Sequence, residues 1–251
     1  MSFLEKIAEE KRRWVAEKKR IVSVDLLKEL PNYKRDLQPF QPLKGKPFII
    51  AEFKRRSPSR PDIALNAKIS EQIAHYDALG VSAISVLTDE AYFGGSLKDL
   101  SDARQHTKLP LLRKDFVVDA YQIHEAKAFG ANMVLLIAAM LEKNELLDLY
   151  ALAQSLNLEV LLEIHEESEL EKLPESAKWV GVNSRNLKSL ATGKEVFREI
   201  FPQLPVDAIK VAESSIQHYS EVEELMELGY QAFLIGEALM TKKFKMPVAM
   251  S

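Results

Sequence analysis

Eight short apolar runs recur along the chain, at 48–54, 83–87, 110–116, 133–137, 160–164, 180–185, 209–214 and 233–236. Several end on a charged or amide side chain that a sealed core would reject. Each run is too short for a helix, and the gaps between them leave room for one helix and two turns. Strands buried on both faces of a parallel sheet read as unbroken apolar runs. Eight βα units in succession predict an α/β fold, a closed (β/α)8 TIM barrel. Strand C-termini converge on one mouth in that fold, so the polar residues ending the runs are expected to meet there.

Ahead of the first run, residues 3–20 set Leu4, Ile7, Trp14 and Val15 on a helical stripe among Lys, Arg and Glu, the pattern of an amphipathic helix. A shorter helix is expected at 25–30, stopped by Pro31, and a connector bearing Pro39 and Pro42 leads to Pro47. The expected organisation is an N-terminal helical extension over 1–46, docked on a barrel over 47–251, in one domain. Leu79-Gly80, Phe129-Gly130 and Leu228-Gly229 each stand two residues before a buried run. Glycine there can adopt the left-handed backbone that closes a helix. The last helix, after Gly236, is expected to be short, with Pro247 close behind.

Composition narrows the function. The 251 residues match the usual barrel size of about 250. A formal net charge of −3 gives no basic field for nucleic acid. Cysteine is absent, and the histidines at 75, 106, 124, 165 and 218 show no helical ligand spacing, so no metal site is expected. No apolar stretch approaches the roughly 20 residues that span a bilayer. The charged N-terminus lacks the apolar core of a secretory signal. A soluble, cytoplasmic protein with no membrane partner is the expectation.

Chemistry gathers at the run ends. Glu52 and Lys54 close the first run; residues two apart on a strand share a face, so both can turn inward. Alone, such a pair is an ordinary ion pair. The third run ends Arg113-Lys114-Asp115-Phe116, and Lys114 turns inward if Leu112 does. Glu163 ends the fifth run, Asn183 and Arg185 the sixth, and Glu213 and Ser214 the seventh. Any one of these is explained as a cap or surface group. Carboxylates, lysines, an arginine and an amide converging on one mouth point instead to general acid–base chemistry. The turns at Glu213-Ser214-Ser215 and Gly236-Glu237 occupy the seventh and eighth units, where barrels cradle phosphate with backbone N–H groups. A phosphorylated small-molecule substrate is therefore expected.

The segments Glu52-Phe-Lys54-Arg-Arg-Ser57-Pro58-Ser59, Leu87-Thr-Asp-Glu-Ala-Tyr92-Phe93-Gly-Gly95-Ser96, Leu112-Arg-Lys114-Asp115-Phe116, Leu162-Glu163-Ile-His165, Asn183-Ser-Arg185-Asn-Leu187, Ala212-Glu213-Ser214 and Gly236-Glu-Ala-Leu-Met240 resemble the indole-3-glycerol-phosphate synthases. The match spans nearly the whole chain. The resemblance implies a cofactor-free step of tryptophan biosynthesis: ring closure, decarboxylation and dehydration of 1-(2-carboxyphenylamino)-1-deoxyribulose 5-phosphate. By the same resemblance Lys114 is the acid of ring closure. Glu163 and Lys54 are the candidates for the second proton transfer, their division of labour left open. Glu52 and Glu213 hold the lysines and sugar hydroxyls, while Asn183 and Arg185 position hydroxyl and carboxylate groups. Ser57 belongs to a loop closing over the aromatic end, and Phe93, Phe116 and Leu187 form an apolar slot. Ser214, Ser215, Gly236 and Glu237 surround the phosphate.

Two positions depart from that family. Ser215 stands where the family has glycine, and Arg60-Pro61-Asp62 replaces a lysine and glycine after Ser59. A left-handed backbone at Ser215 would cost about 1–2 kcal/mol, and Pro61 would stiffen its loop. Two alternatives remain. Phosphoribosylanthranilate isomerase relies on a Cys/Asp pair, and this chain has no cysteine. A catalytically silent phosphate-binding barrel would have no use for so many costly inward charges. A monomer is expected, with another enzyme of the pathway as the candidate protein partner.

Overall fold

Parallel strands β1 (Phe48–Phe53), β2 (Ala83–Leu87), β3 (Leu111–Lys114), β4 (Met133–Ile137), β5 (Glu159–Ile164), β6 (Trp179–Asn183), β7 (Ile209–Glu213) and β8 (Ala232–Ile235) hydrogen-bond in sequence order. β8 returns to β1, so the sheet is a closed barrel. The computed structural model describes residues 3–37, 40–185 and 193–247. Every strand is buried nearly end to end, which is why the sequence shows continuous apolar runs rather than alternation. The register sets Lys114 beside Leu87, Glu163 beside Gly181 and Asn183 beside Glu213. All of these lie at or near strand C-termini, on one mouth.

Helices Ile69–Leu79, Leu97–His106, Ala120–Ala128, Lys143–Ser155, Glu195–Ile200 and Tyr219–Leu228 return the chain between strands. Gly80 and Gly229 end two of them with φ of 70° and 115°, the left-handed closure that glycine adopts without a Cβ penalty. One expected helix is missing. The β5–β6 connection holds only the 3-10 segment Glu167–Lys172. Its sequence is mostly Glu, Ser and Lys and meets Pro174 soon afterwards, so it offers no apolar stripe long enough to dock an α-helix. The last helix, Glu237–Met240, is a single turn.

The N-terminal helix Phe3–Ile21 lies against the barrel, with Ile7 and Val15 almost wholly buried. Ser23 caps the next helix, Val24–Glu29, by accepting the Leu26 N–H, and Pro31 begins a 3-10 turn through Lys34. The connector then carries Phe40 beneath the barrel. There its ring meets Trp179 edge-on at 5.7 Å and Phe48 at 5.9 Å. These rings stand at strand N-termini and plug the end opposite the mouth. Among the described residues, no helix is long and apolar enough to cross a membrane.

Candidate active site

Period-two alternation aims Glu52 and Lys54 into the barrel, Lys54 lying one residue past the end of β1. The Lys54 ammonium donates to Glu52 Oε1 at 2.5 Å. Burial alone would raise the Glu52 pKa, but Lys54 and then Lys114 outweigh it and hold the carboxyl below its usual range. Gly236, at the end of β8, makes this approach possible. A Cβ there would overlap Glu52 Oε1 and lie 2.9 Å from Lys54 Nζ.

Lys114 reaches across the barrel from β3. Its ammonium donates to Glu213 Oε2 at 2.7 Å and to Glu163 Oε2 at 3.1 Å. Burial lowers its pKa, yet Glu163, Glu213 and Glu52 together drive it well above the ordinary lysine value. Glu163 stays ionised, because Lys114 and His165 overcome the effect of burial. Glu213 moves the other way: burial raises its pKa, Lys114 opposes this, and the nearby Glu163 charge adds to the rise. Two carboxylates beside one ammonium cannot both be stabilised as anions. Glu213 Oε1 is buried without a hydrogen bond, and a Cβ on Gly181 would overlap it.

A cavity enclosing about 810 Å³ of atom-free space, open solvent included, lies over these charges. Glu52, Lys54, Lys114, Glu163, Asn183 and Ser214 line its floor and one side, with Leu87, Leu135, Ile137 and Leu234 between them. Phe93 and Phe116 line another side, their ring centroids 5.9 Å apart. Leu4 of the N-terminal helix reaches the same cavity. Ser57, Pro58 and Ser59 roof it in a tight turn, where Ser57 N–H donates to Arg60 O at 2.8 Å. Arg185 ties that roof to β6 by donating to Ser59 Oγ, and its backbone N–H donates to Asn183 Oδ1 at 3.0 Å. Leu187 lies outside the described residues.

The seventh and eighth turns sit beside the cavity. Ser214 and Ser215 both have positive φ, 70° and 60°, so Ser215, where the resemblance leads one to expect glycine, does hold a left-handed backbone. Ser215 Oγ is 2.7 Å from Ser184 Oγ. The Glu237 carboxylate is held by the Arg60 guanidinium; a carboxylate repels phosphate, so only its backbone N–H suits an anion.

Other groups escaped the sequence reading. Arg113, fully buried on the outer face of β3, donates to Asp115 Oδ2 at 3.0 Å, Glu125 Oε2 at 3.1 Å and the Gln122 carbonyl at 2.7 Å. Lys11 of the N-terminal helix pairs with Asp89 at 2.6 Å and Asp115 at 2.8 Å. Lys11 and Arg113, with a hydrogen bond from Thr88, overcome burial and hold Asp115 far below the usual carboxylate range. Nothing local marks Lys11, one of many charges on an amphipathic helix. His165 escaped as well, although a signal was present: Glu163-x-His165 repeats the one-face spacing of Glu52-x-Lys54.

Comparison with known proteins agrees with this geometry. The family model described as indole-3-glycerol phosphate synthase matches residues 4–246. A protein of that name from Bacteroides thetaiotaomicron is 47% identical over 192 residues, 76% of this chain and 74% of that one. Indole-3-glycerol phosphate synthase 1 of Streptomyces coelicolor is 41% identical over 244 residues, 96% of this chain and 91% of that one. Among solved structures, thiamine phosphate pyrophosphorylase from Pyrococcus furiosus superposes with a TM-score of 0.56 at 18% identity, covering 78% of this chain and 87% of that one; that likeness shows the barrel alone. With a matching family model over almost its full length and relatives above 40% identity, this chain belongs to the indole-3-glycerol phosphate synthase family.

Proposed function

We propose that the cavity closes the pyrrole ring of 1-(2-carboxyphenylamino)-1-deoxy-D-ribulose 5-phosphate, releasing CO2 and water to give indole-3-glycerol phosphate. The observation that carries this proposal is the Lys114 ammonium, buried between Glu163 and Glu213 beneath a slot walled by Phe93 and Phe116. Ring closure needs a proton for the C2 carbonyl oxygen as the aromatic carbon attacks C2. A firmly charged lysine supplies that proton once the far more basic developing alkoxide forms beside it. Loss of CO2 from the attacking ring carbon, which bears the carboxylate, then restores the aromatic ring. Dehydration needs an acid at the new hydroxyl and a base for the departing ring proton, roles that Lys54 and Glu163 fill between them.

The remaining side chains position the substrate. The aromatic ring enters the phenylalanine slot, with Ser57 in the roof above it and Leu187 assigned to the same slot. Asn183 and Arg185 take hydroxyl and carboxylate groups, and Glu52 and Glu213 orient the lysines. The phosphate sits on the N–H groups of the Ser214–Ser215 and Gly236–Glu237 turns. The assigned groups need no residue from a second subunit, and we take the chain to act as a monomer. The 1–46 extension serves as a brace of the mouth, through Leu4 in the cavity wall and Lys11 on Asp89 and Asp115.

Purified protein incubated with the carboxyphenylamino ribulose phosphate should develop indole fluorescence with turnover. Tight binding without turnover would favour a silent barrel.

A further inference from the structure

We propose that His165 is a positioning residue of this site: an imidazolium clamped between Glu163 and Glu169 that keeps the Glu163 carboxylate ionised and facing the cavity while Lys114 gives up its proton. This rests on the acid role assigned to Lys114 above.

His165 follows β5, two residues beyond Glu163, and its side chain is only 7% exposed. Nε2 lies 3.3 Å from Glu163 Oε1, the oxygen turned away from Lys114, and Nδ1 lies 3.8 Å from Glu169 Oε2. Both contacts are ion-pair distances, and neither ring nitrogen makes a hydrogen bond to any group among the described residues. A neutral imidazole must present one lone pair, and here that lone pair would face a carboxylate; only the doubly protonated ring suits both neighbours. Glu169 is itself fixed, because its Oε2 accepts the His165 backbone N–H at 2.7 Å. Burial would lower the histidine pKa, but Glu163 and Glu169 reverse this and push it up to about 9.

The other charges facing this pair come from packed strands: Lys114 on β3 and Glu213 on β7 act on Glu163. Lys172, on the same 3-10 segment as Glu169, directs its ammonium to the Ala138 and Leu141 carbonyls. Among the described residues, Lys114 is the cation that pairs directly with Glu163 on its cavity side, and it is the cation that turns neutral in the proposed step. Without a second positive charge, the proton leaving Lys114 has a buried carboxylate 3.1 Å away as an alternative destination. An imidazolium on the far oxygen depresses the basicity of Glu163 at that moment, so the proton goes to the substrate.

The test compares His165→Gln and Glu169→Gln with the parent, using kcat and KM from pH 6 to 10 and the 15N shifts of the labelled His165 ring. The parent-to-H165Q ratio of kcat should be about tenfold below pH 8 and shrink towards one above pH 9, with KM changed less than about twofold. Taking the ratio removes the titration of other groups, and a merely structural role would leave it flat with pH. E169Q retains an oxygen for the backbone N–H and should move the convergence to lower pH. The ring should be doubly protonated at pH 7.5. A flat ratio, or a neutral ring at pH 7.5, would overturn the clamp. If the parent shows no turnover at all, the function proposed above fails, and the ring shifts still decide whether the clamp exists.

Discussion

Replacing Ser215 by glycine should change stability very little, although Ser215 sits at a φ of 60°. The left-handed conformation costs a serine about 1–2 kcal/mol. Glycine would relieve that strain, but its freer unfolded chain returns about 0.5–1 kcal/mol. It would also lose the 2.7 Å contact to Ser184 Oγ, and a hydrogen bond of this kind contributes about 0.5–1.5 kcal/mol. Gains and losses cancel to within about 1 kcal/mol. The strain becomes visible once the hydrogen bond is gone: in a Ser184→Ala background, Ser215→Gly should stabilise by about 1 kcal/mol. Urea unfolding of the four proteins in this cycle, at constant m, reads both numbers. A stabilisation above about 2 kcal/mol from Ser215→Gly alone, or the same effect in both backgrounds, would refute the claim that Ser184 holds Ser215 in place.

Gly236→Ala tests the crowding around Lys54 without disturbing the backbone, since Gly236 has a negative φ of −110°. The added methyl would lie 2.9 Å from Lys54 Nζ and overlap Glu52; displacing the ammonium by about 1 Å should lower kcat about 10²-fold, and a loss under threefold would reject the crowding. Stability should fall on both sides of neutrality. Asp115 and Glu52 are held below their ordinary values of 3.8 and 4.5, so their contributions are complete above those values and are lost as pH drops below them. His165 is raised from 6.5 to about 9, so its contribution is complete below pH 6.5 and lost as pH climbs through about 9. Denaturation midpoints from pH 3 to 10 should show both declines, and a flat profile between pH 6.5 and 9.5 would count against the His165 ion pairs.

How far the sequence foretold this molecule follows from the range of each interaction. The strands were legible because a parallel strand buried on both faces must be continuously apolar, and the inward positions of Glu52, Lys54 and Lys114 followed from their period of two. The left-handed Ser215 was legible by comparison with a family glycine. Lys11 was not, because its partners Asp89 and Asp115 lie far along the chain and a basic residue on an amphipathic helix looks solvated. The absent helix after β5 was missed because a count of βα units assumes that each connection is alike. Glu237 was placed at the phosphate turn from its neighbours alone; its pairing with Arg60 required the fold, since it joins the first strand's loop to the last.

Turnover by a Lys114→Met variant is the most direct measurement of all. The variant keeps the apolar stem, and Glu213, whose carboxyl is already pushed towards protonation, can take up the uncompensated charge as a proton, so the barrel should fold and the substrate should still bind. If Lys114 delivers the proton of ring closure, kcat falls by about 10²–10⁴-fold while KM stays within a few-fold of the parent. A folded Lys114→Met protein that forms indole at close to the parent rate would contradict that role.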